Sequence, residues 1–214
     1  MSEAAVLGYF VKYNAMVWPM QVVVYVLCLA ALFLAVKKLQ YADRIIAAIL
    51  AFFWVWNGIV FLPPAGAASA LFYVFAGLFV VQGILFLIGV IRPNVSYRIG
   101  TDIYSLIGIV LVLYGLMGSP FVGVLVGHLY PKMAFVGLFP CPTLAFTFGM
   151  LLCTDAKVPK YLLLIPFLWG LWGITGPPIG MWEDAGMVAS GVLGTAMIVY
   201  RDRKVMVGTA PRPA

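Results

Sequence analysis

Apolar residues fill runs of about 17–23 positions with almost no polar interruption, and the runs recur along the whole chain. At 1.5 Å of rise per residue, such a run makes a helix long enough to cross a bilayer. The runs are apolar on every face and lack the polar–apolar alternation of a barrel strand. Hydrocarbon offers no partner to a bare N–H or C=O, so the runs are helices. The pattern predicts an all-α, polytopic transmembrane helical bundle of seven spans in one domain covering 1–214. The spans are 19–36, 44–62, 69–91, 101–117, 134–153, 159–175 and 185–200. Pro19 suits a first helical turn, Pro63-Pro64 stops the second span, and Ser69 and Asp102 cap the third and fourth. Arg92-Pro93-Asn94 ends the third span and Pro177-Pro178 closes the sixth.

Composition agrees. The chain is 64% hydrophobic and 9% charged, against roughly 45–50% and 25% in soluble domains. No cleavable leader or lipidation signal is expected, because the first apolar run lacks a basic preface and a small-residue cleavage site. Three cysteines, Cys28, Cys141 and Cys153, make no disulfide framework.

The net charge of +6 takes its meaning from where it falls. Alternate loops and the tail hold Lys37, Lys38, Arg44, Arg92, Arg98, Lys157, Lys160, Arg201, Arg203, Lys204 and Arg212, while the opposite loops hold only Lys12 and Lys132. By the positive-inside rule the basic loops and the C-terminus face the cytoplasm and the N-terminus lies outside, in a multi-pass protein of the cell (inner or plasma) membrane. All six tryptophans then fall in the outer half. Trp18 and Trp182 suit an interfacial belt, whereas Trp54, Trp56, Trp169 and Trp172 sit deeper and either pack in the core or line a cavity. Gly170, Gly173 and Gly176 in span six, and Gly186, Ser190 and Gly194 in span seven, form small-residue ridges for close helix packing, within the chain or between copies.

The least regular stretch runs from Gly118 to Thr143, with Pro131, Pro140 and Pro142 each removing a donor. From Pro142 onward about 18 Å of helix remains, too little for a core of about 30 Å, so span five is broken near its outer end. Irregular backbone at that depth is tolerated only when buried in protein or facing a wet cavity, and broken spans mark binding sites in transport proteins. A helix starting at Pro142 would leave the N–H groups of Thr143, Leu144 and Ala145 free for an anion, unless the Thr143 hydroxyl and local carbonyls occupy them. The candidate binding residues are His128, Tyr130, Cys141, Thr143, Glu183, Asp184, Asn14 and Trp18. If a metal binds, His128, Cys141 and Glu183 are its ligands, though their spacing follows no established pattern. The competing readings are an interfacial hydrogen-bonded His128, and Glu183 and Asp184 as first-turn carboxylates of span seven. Asp102 reads as a helix cap or a partner of Arg98.

Several short motifs together resemble an uncharacterised family of prokaryotic integral membrane proteins, a domain of unknown function. They are Tyr13-Asn14, Val17-Trp18-Pro19 with Gln21, Gly127-His128 with Tyr130-Pro131, Pro140-Cys141-Pro142-Thr143 with Phe146-Thr147-Phe148-Gly149, and Glu183-Asp184 with Gly186. In that family a proline often precedes the Glu-Asp pair, where this chain has Trp182. The resemblance implies the membrane architecture and singles out the outer-face motifs; it implies no activity.

Several functions are excluded. Span seven has no lysine for a retinal Schiff base, one histidine forbids a bis-histidine haem, and no phosphate loop, nucleophile elbow, zincin or dinucleotide motif occurs. No cofactor and no catalytic residue is predicted, and nucleic acid is not a partner. The partners in view are the lipid bilayer, a small solute or ion, a second copy of the chain and a membrane-complex subunit. Three functions stay open: a small transporter, permease or solute-binding protein with an outer-face site; a structural or assembly subunit; and a metal- or redox-active membrane protein using Cys141 and His128.

Overall fold

In a computed structural model, residues 2–65 and 69–208 are described, with side chains as far as Lys204. Arg212 and the rest of the tail lie outside the described residues. Among the described residues eight helices run in order: α1 Glu3–Met16, α2 Met20–Lys37, α3 Ala42–Ala65, α4 Leu71–Ile91, α5 Ile103–Leu125, α6 Pro140–Leu152, α7 Tyr161–Trp172 and α8 Asp184–Gly208. Helix α7 continues through short 3₁₀ turns to Ile179. Among the described residues there is no strand, only an isolated bridge between Tyr97 and Thr154. Helices α2, α3, α4, α5 and the extended α7 are long and apolar enough to cross a membrane, and α6 is a shorter apolar helix. On α2 the outward face is as apolar as the buried one, with Val22, Val26, Leu29 and Phe33 all exposed. A soluble helix would put polar groups there.

The sequence pattern missed one helix. The chain before Pro19 folds as α1, capped by Ser2, and lays Tyr9, Phe10 and Tyr13 against Phe61 and Phe139. Other boundaries move as well. Pro63 and Pro64 do not stop α3, which continues to Ala65 after a π-helical turn at Asn57–Phe61. A second π turn, Tyr114–Gly118, lets α5 run past Pro120 to Leu125 instead of ending at 117. Each wide turn ends two residues before a proline, whose ring would otherwise collide with the carbonyl four residues back.

Prolines also orphan carbonyls, and side chains from neighbouring helices fill them. Pro166 inside α7 has no N–H for the Leu162 carbonyl, and Gln82 of α4 donates to it at 3.2 Å. The Leu116 carbonyl, four residues before Pro120, accepts from Tyr25 at 2.7 Å. The Leu138 carbonyl, four residues before Pro142, accepts from Tyr13 at 3.0 Å. In an apolar interior each unfilled carbonyl would be costly, so these polar side chains are part of the fold.

Helices α5 and α6 cross with Gly108 and Gly149 in contact: a Cβ at Gly149 would sit 2.6 Å from the Gly108 carbonyl oxygen. Helices α7 and α8 meet the same way, a Cβ at Gly170 lying 3.0 Å from the Gly191 Cα. The small-residue ridges serve packing within the chain.

One end of the bundle gathers the basic loops. Lys38 pairs with Asp155, Arg98 lies 3.8 Å from the same carboxylate, and the Asp43 carboxylate accepts the Tyr97 N–H at 2.8 Å. Arg201 donates to the carbonyls of Leu152 and Thr154, and Asp202 accepts the Val158 N–H at 2.9 Å. The site lies at the other end.

Candidate functional site

Residues 126–139 form a non-helical segment between α5 and α6, with Gly127 and Gly137 in the left-handed region. The span expected from 134 becomes helical only at Pro140, so the irregular stretch is shorter at both ends than the Gly118–Thr143 run marked in the sequence. The segment is buried at Ala134, Val136, Leu138 and Phe139, so its backbone needs partners. Asn14 supplies two, donating to the carbonyls of Pro131 and Met133 at 2.7 and 2.8 Å. Asn57 donates to Gly137, and the Gly137 N–H donates to Thr143 Oγ1 at 2.8 Å. Gln21 in turn holds the Asn14 amide oxygen at 3.2 Å.

These bonds take two candidates out of direct ligand contact. Asn14 is committed to the segment's carbonyls. Thr143 is fully buried, receives the Gly137 N–H, and donates to Phe139 at 2.6 Å. The free N-terminus expected at Thr143, Leu144 and Ala145 is also absent. Helix α6 starts two residues earlier, the Thr143 N–H bonds Phe139, and Leu144 and Ala145 lie inside the helix. Trp18 and Tyr130 do not join the site either: they are 61% and 56% exposed. Tyr130 meets only the Phe135 ring among the aromatic contacts of the described residues.

Four candidates do come together. His128 is 2% exposed, with Nδ1 3.1 Å from Glu183 Oε1 and Nε2 3.2 Å from Glu3 Oε1. A neutral imidazole has one N–H to give, so both contacts are donated bonds only in the imidazolium form. Glu183 is 3% exposed, and its second oxygen, Oε2, has no partner among the described residues. Asp184, at the head of α8, adjoins the Cys141 thiol at the head of α6. The metal set considered from sequence is therefore split, with His128 on Glu183 and Cys141 beside Asp184. Among the described residues no group of three His, Cys, Asp or Glu side chains is placed to hold a metal ion.

Glycines shape this corner. Tyr114, in the π turn of α5, donates to the Glu183 carbonyl at 2.7 Å, its ring crossing where a Cβ of Gly186 would stand 2.0 Å from Cζ. Gly176 leaves room for the Asp184 carboxylate, and a Cβ at Gly180, which has φ +90°, would meet Glu3 at 2.6 Å. Only glycine after the Glu-Asp pair admits Tyr114.

Cys141, Glu183 and Asp184 line a cavity of about 410 Å³, within the size range of small-molecule sites. Tyr9 and Phe10 of α1, Phe61 of α3, Phe139, and Trp169 and Trp172 of α7 complete much of its wall. Trp169 is 4% exposed and stacks edge-on against Phe75 and Phe79, at 4.9 and 5.1 Å, yet its Nε1–H has no acceptor among the described residues. Trp54 and Trp56 belong to the core: Trp54 donates to Thr147 and Trp56 to Tyr13. Sequence reasoning missed Glu3 and Tyr114. Glu3 carries only the signature of a first-turn acid after a Ser cap, and Tyr114 reads as one aromatic in an apolar run.

No curated protein and no solved structure matches the chain. Residues 4–209 match the model of a family of unknown function, DUF6064, and the chain belongs to that family.

Proposed function

We propose that this protein is a multi-pass cell-membrane protein with seven crossings and its basic end in the cytoplasm. It binds a small solute in the cavity at the opposite, outer end, as a transporter, permease or solute-binding protein does. Five long apolar helices, the shorter apolar α6, the 25-residue α8 where the seventh span is expected, and the eleven-to-two division of basic residues support the topology. One observation carries the binding reading. Glu183 Oε2 and Trp169 Nε1, an acceptor and a donor on residues that line one cavity, are buried with no partner among the described residues. Buried polar groups are almost always satisfied, and two unsatisfied ones of opposite character on one cavity call for something that completes them. The broken backbone beside the cavity is the arrangement that transport proteins use at their sites.

Thermal stabilisation of purified protein by a panel of ions and small metabolites, with flux measured after reconstitution, tests this. At least one solute is expected to stabilise the wild type and to lose that effect in Glu183→Gln. Thr143→Val is expected to lower stability without changing solute preference. A panel that yields neither stabilisation nor flux refutes the reading.

A further inference from the structure

Resting on that solute-binding reading, we infer that the cavity takes an organic ammonium: a cationic nitrogen on a hydrocarbon body that carries a ring or chain. Glu183 and Asp184 line the cavity, and no Lys, Arg or His lines it with them. His128 approaches Glu183 from outside the wall, and Glu3 lies beyond it, so the corner is net negative in either state of the imidazole. An anion placed there would face two carboxyls at short range in a poorly screened setting. A neutral apolar molecule would leave Glu183 Oε2 as bare as it is now. A naked metal ion would need several converging ligands, and none are grouped among the described residues.

An ammonium fits both halves of the wall. Its N–H groups, or its charge alone, face the carboxyl groups of Glu183 and Asp184. Trp169, Trp172, Tyr9, Phe61 and Phe72 supply ring surface for the hydrocarbon and for attraction between the cation and the aromatic faces. The Trp169 Nε1–H is a second, independent sign of a missing partner. It favours ammonium ligands that also carry an acceptor oxygen.

Three isosteric probes, phenethylammonium, 2-phenylethanol and phenylacetate, test the inference on full-length protein in nanodiscs, with empty nanodiscs as the partition control. Calorimetry is the readout, with quenching of the intrinsic tryptophan fluorescence as a second one. Phenethylammonium is expected to saturate with an affinity about tenfold or more above the other two. Glu183→Gln should remove about that tenfold while 2-phenylethanol binding stays unchanged. Should Glu183→Gln fail to fold, Asp184→Asn is read the same way and the wild-type order of the probes still decides. Equal or tighter binding of 2-phenylethanol or phenylacetate overturns the cation inference and leaves solute binding intact. No saturable binding of any probe overturns the cation inference as well, and the wider solute panel then decides solute binding separately.

Discussion

At the basic end of the bundle, Asp43, Asp102, Asp155 and Asp202 each accept donated hydrogens. The donors are the Tyr97 N–H, the Tyr104 and Ser105 N–H groups with the Ser105 hydroxyl, Lys38, and the Val158 N–H with Arg201. At the cavity end, Glu3, Glu183 and Asp184 have one imidazole and one thiol as their nearest partners. Among the described residues neither Lys12 nor Lys132 makes an ion pair there. The first set ties loops to helix ends and is complete within the protein. Burial pushes the Asp155 carboxyl up, but hydrogen bonds from Lys38 and Ser96 and the charges of Lys38 and Arg98 hold it below the ordinary carboxylate value. The second set is left short of donors in the wall of a cavity. The acids that hold the fold together are matched; on the proposed solute-binding reading, those at the cavity are left for a ligand.

The contrast breaks first at His128. His128→Ala strips Glu183 of its only side-chain partner among the described residues and should cost about 3 kcal/mol in chemical denaturation. Adding Glu183→Gln should return about 1–2 kcal/mol of that, because the buried charge is gone. Additive losses would mean that the two residues do not act as a pair. Next comes the proline-linked bonding between the two ends. Tyr13→Phe orphans both the Leu138 carbonyl and the Trp56 N–H, so about 2 kcal/mol is expected. Gln82→Leu orphans only Leu162 and should cost about 1 kcal/mol.

Smallest is Asp155→Asn at the basic end. The pair is exposed and screened by salt, so a loss of no more than about 0.5 kcal/mol is expected. The depressed carboxyl fixes the sign. Its contribution is complete above the ordinary carboxylate value and fades as pH falls through the lowered one. Thermal melts across the acid range should show that fade in the wild type and not in Asp155→Asn.

Much of this was legible in the pattern of residues. Long apolar runs marked the long helices, and proline density marked the broken segment. Polar side chains in apolar surroundings marked His128, Cys141, Glu183 and Asp184. The same signal misled at Asn14 and Thr143, because irregular backbone near the bundle's core demands donors just as a ligand does, and sequence spacing does not say which demand a side chain meets. Helix α1 was hidden because its apolar face is short and mixed with Glu3, Lys12 and Asn14. It lies across the aromatic wall of the cavity, packed on Phe61 and Phe139, and its sequence gives no spanning signal. The π turns were invisible too, since widening a helix ahead of Pro63 or Pro120 leaves no trace in the order of apolar residues.

Cys141 offers the sharpest probe, because it lines the cavity while Cys28 and Cys153 are fully buried. Membrane-impermeant methanethiosulfonates of opposite charge are applied from each side of oriented vesicles, with Cys141→Ser as the blank. The cationic reagent should label Cys141 from the face opposite the basic loops, about tenfold faster than the anionic one. Labelling from the basic face alone, no difference from Cys141→Ser, or faster reaction of the anion would contradict an acidic, solute-accepting cavity at that end.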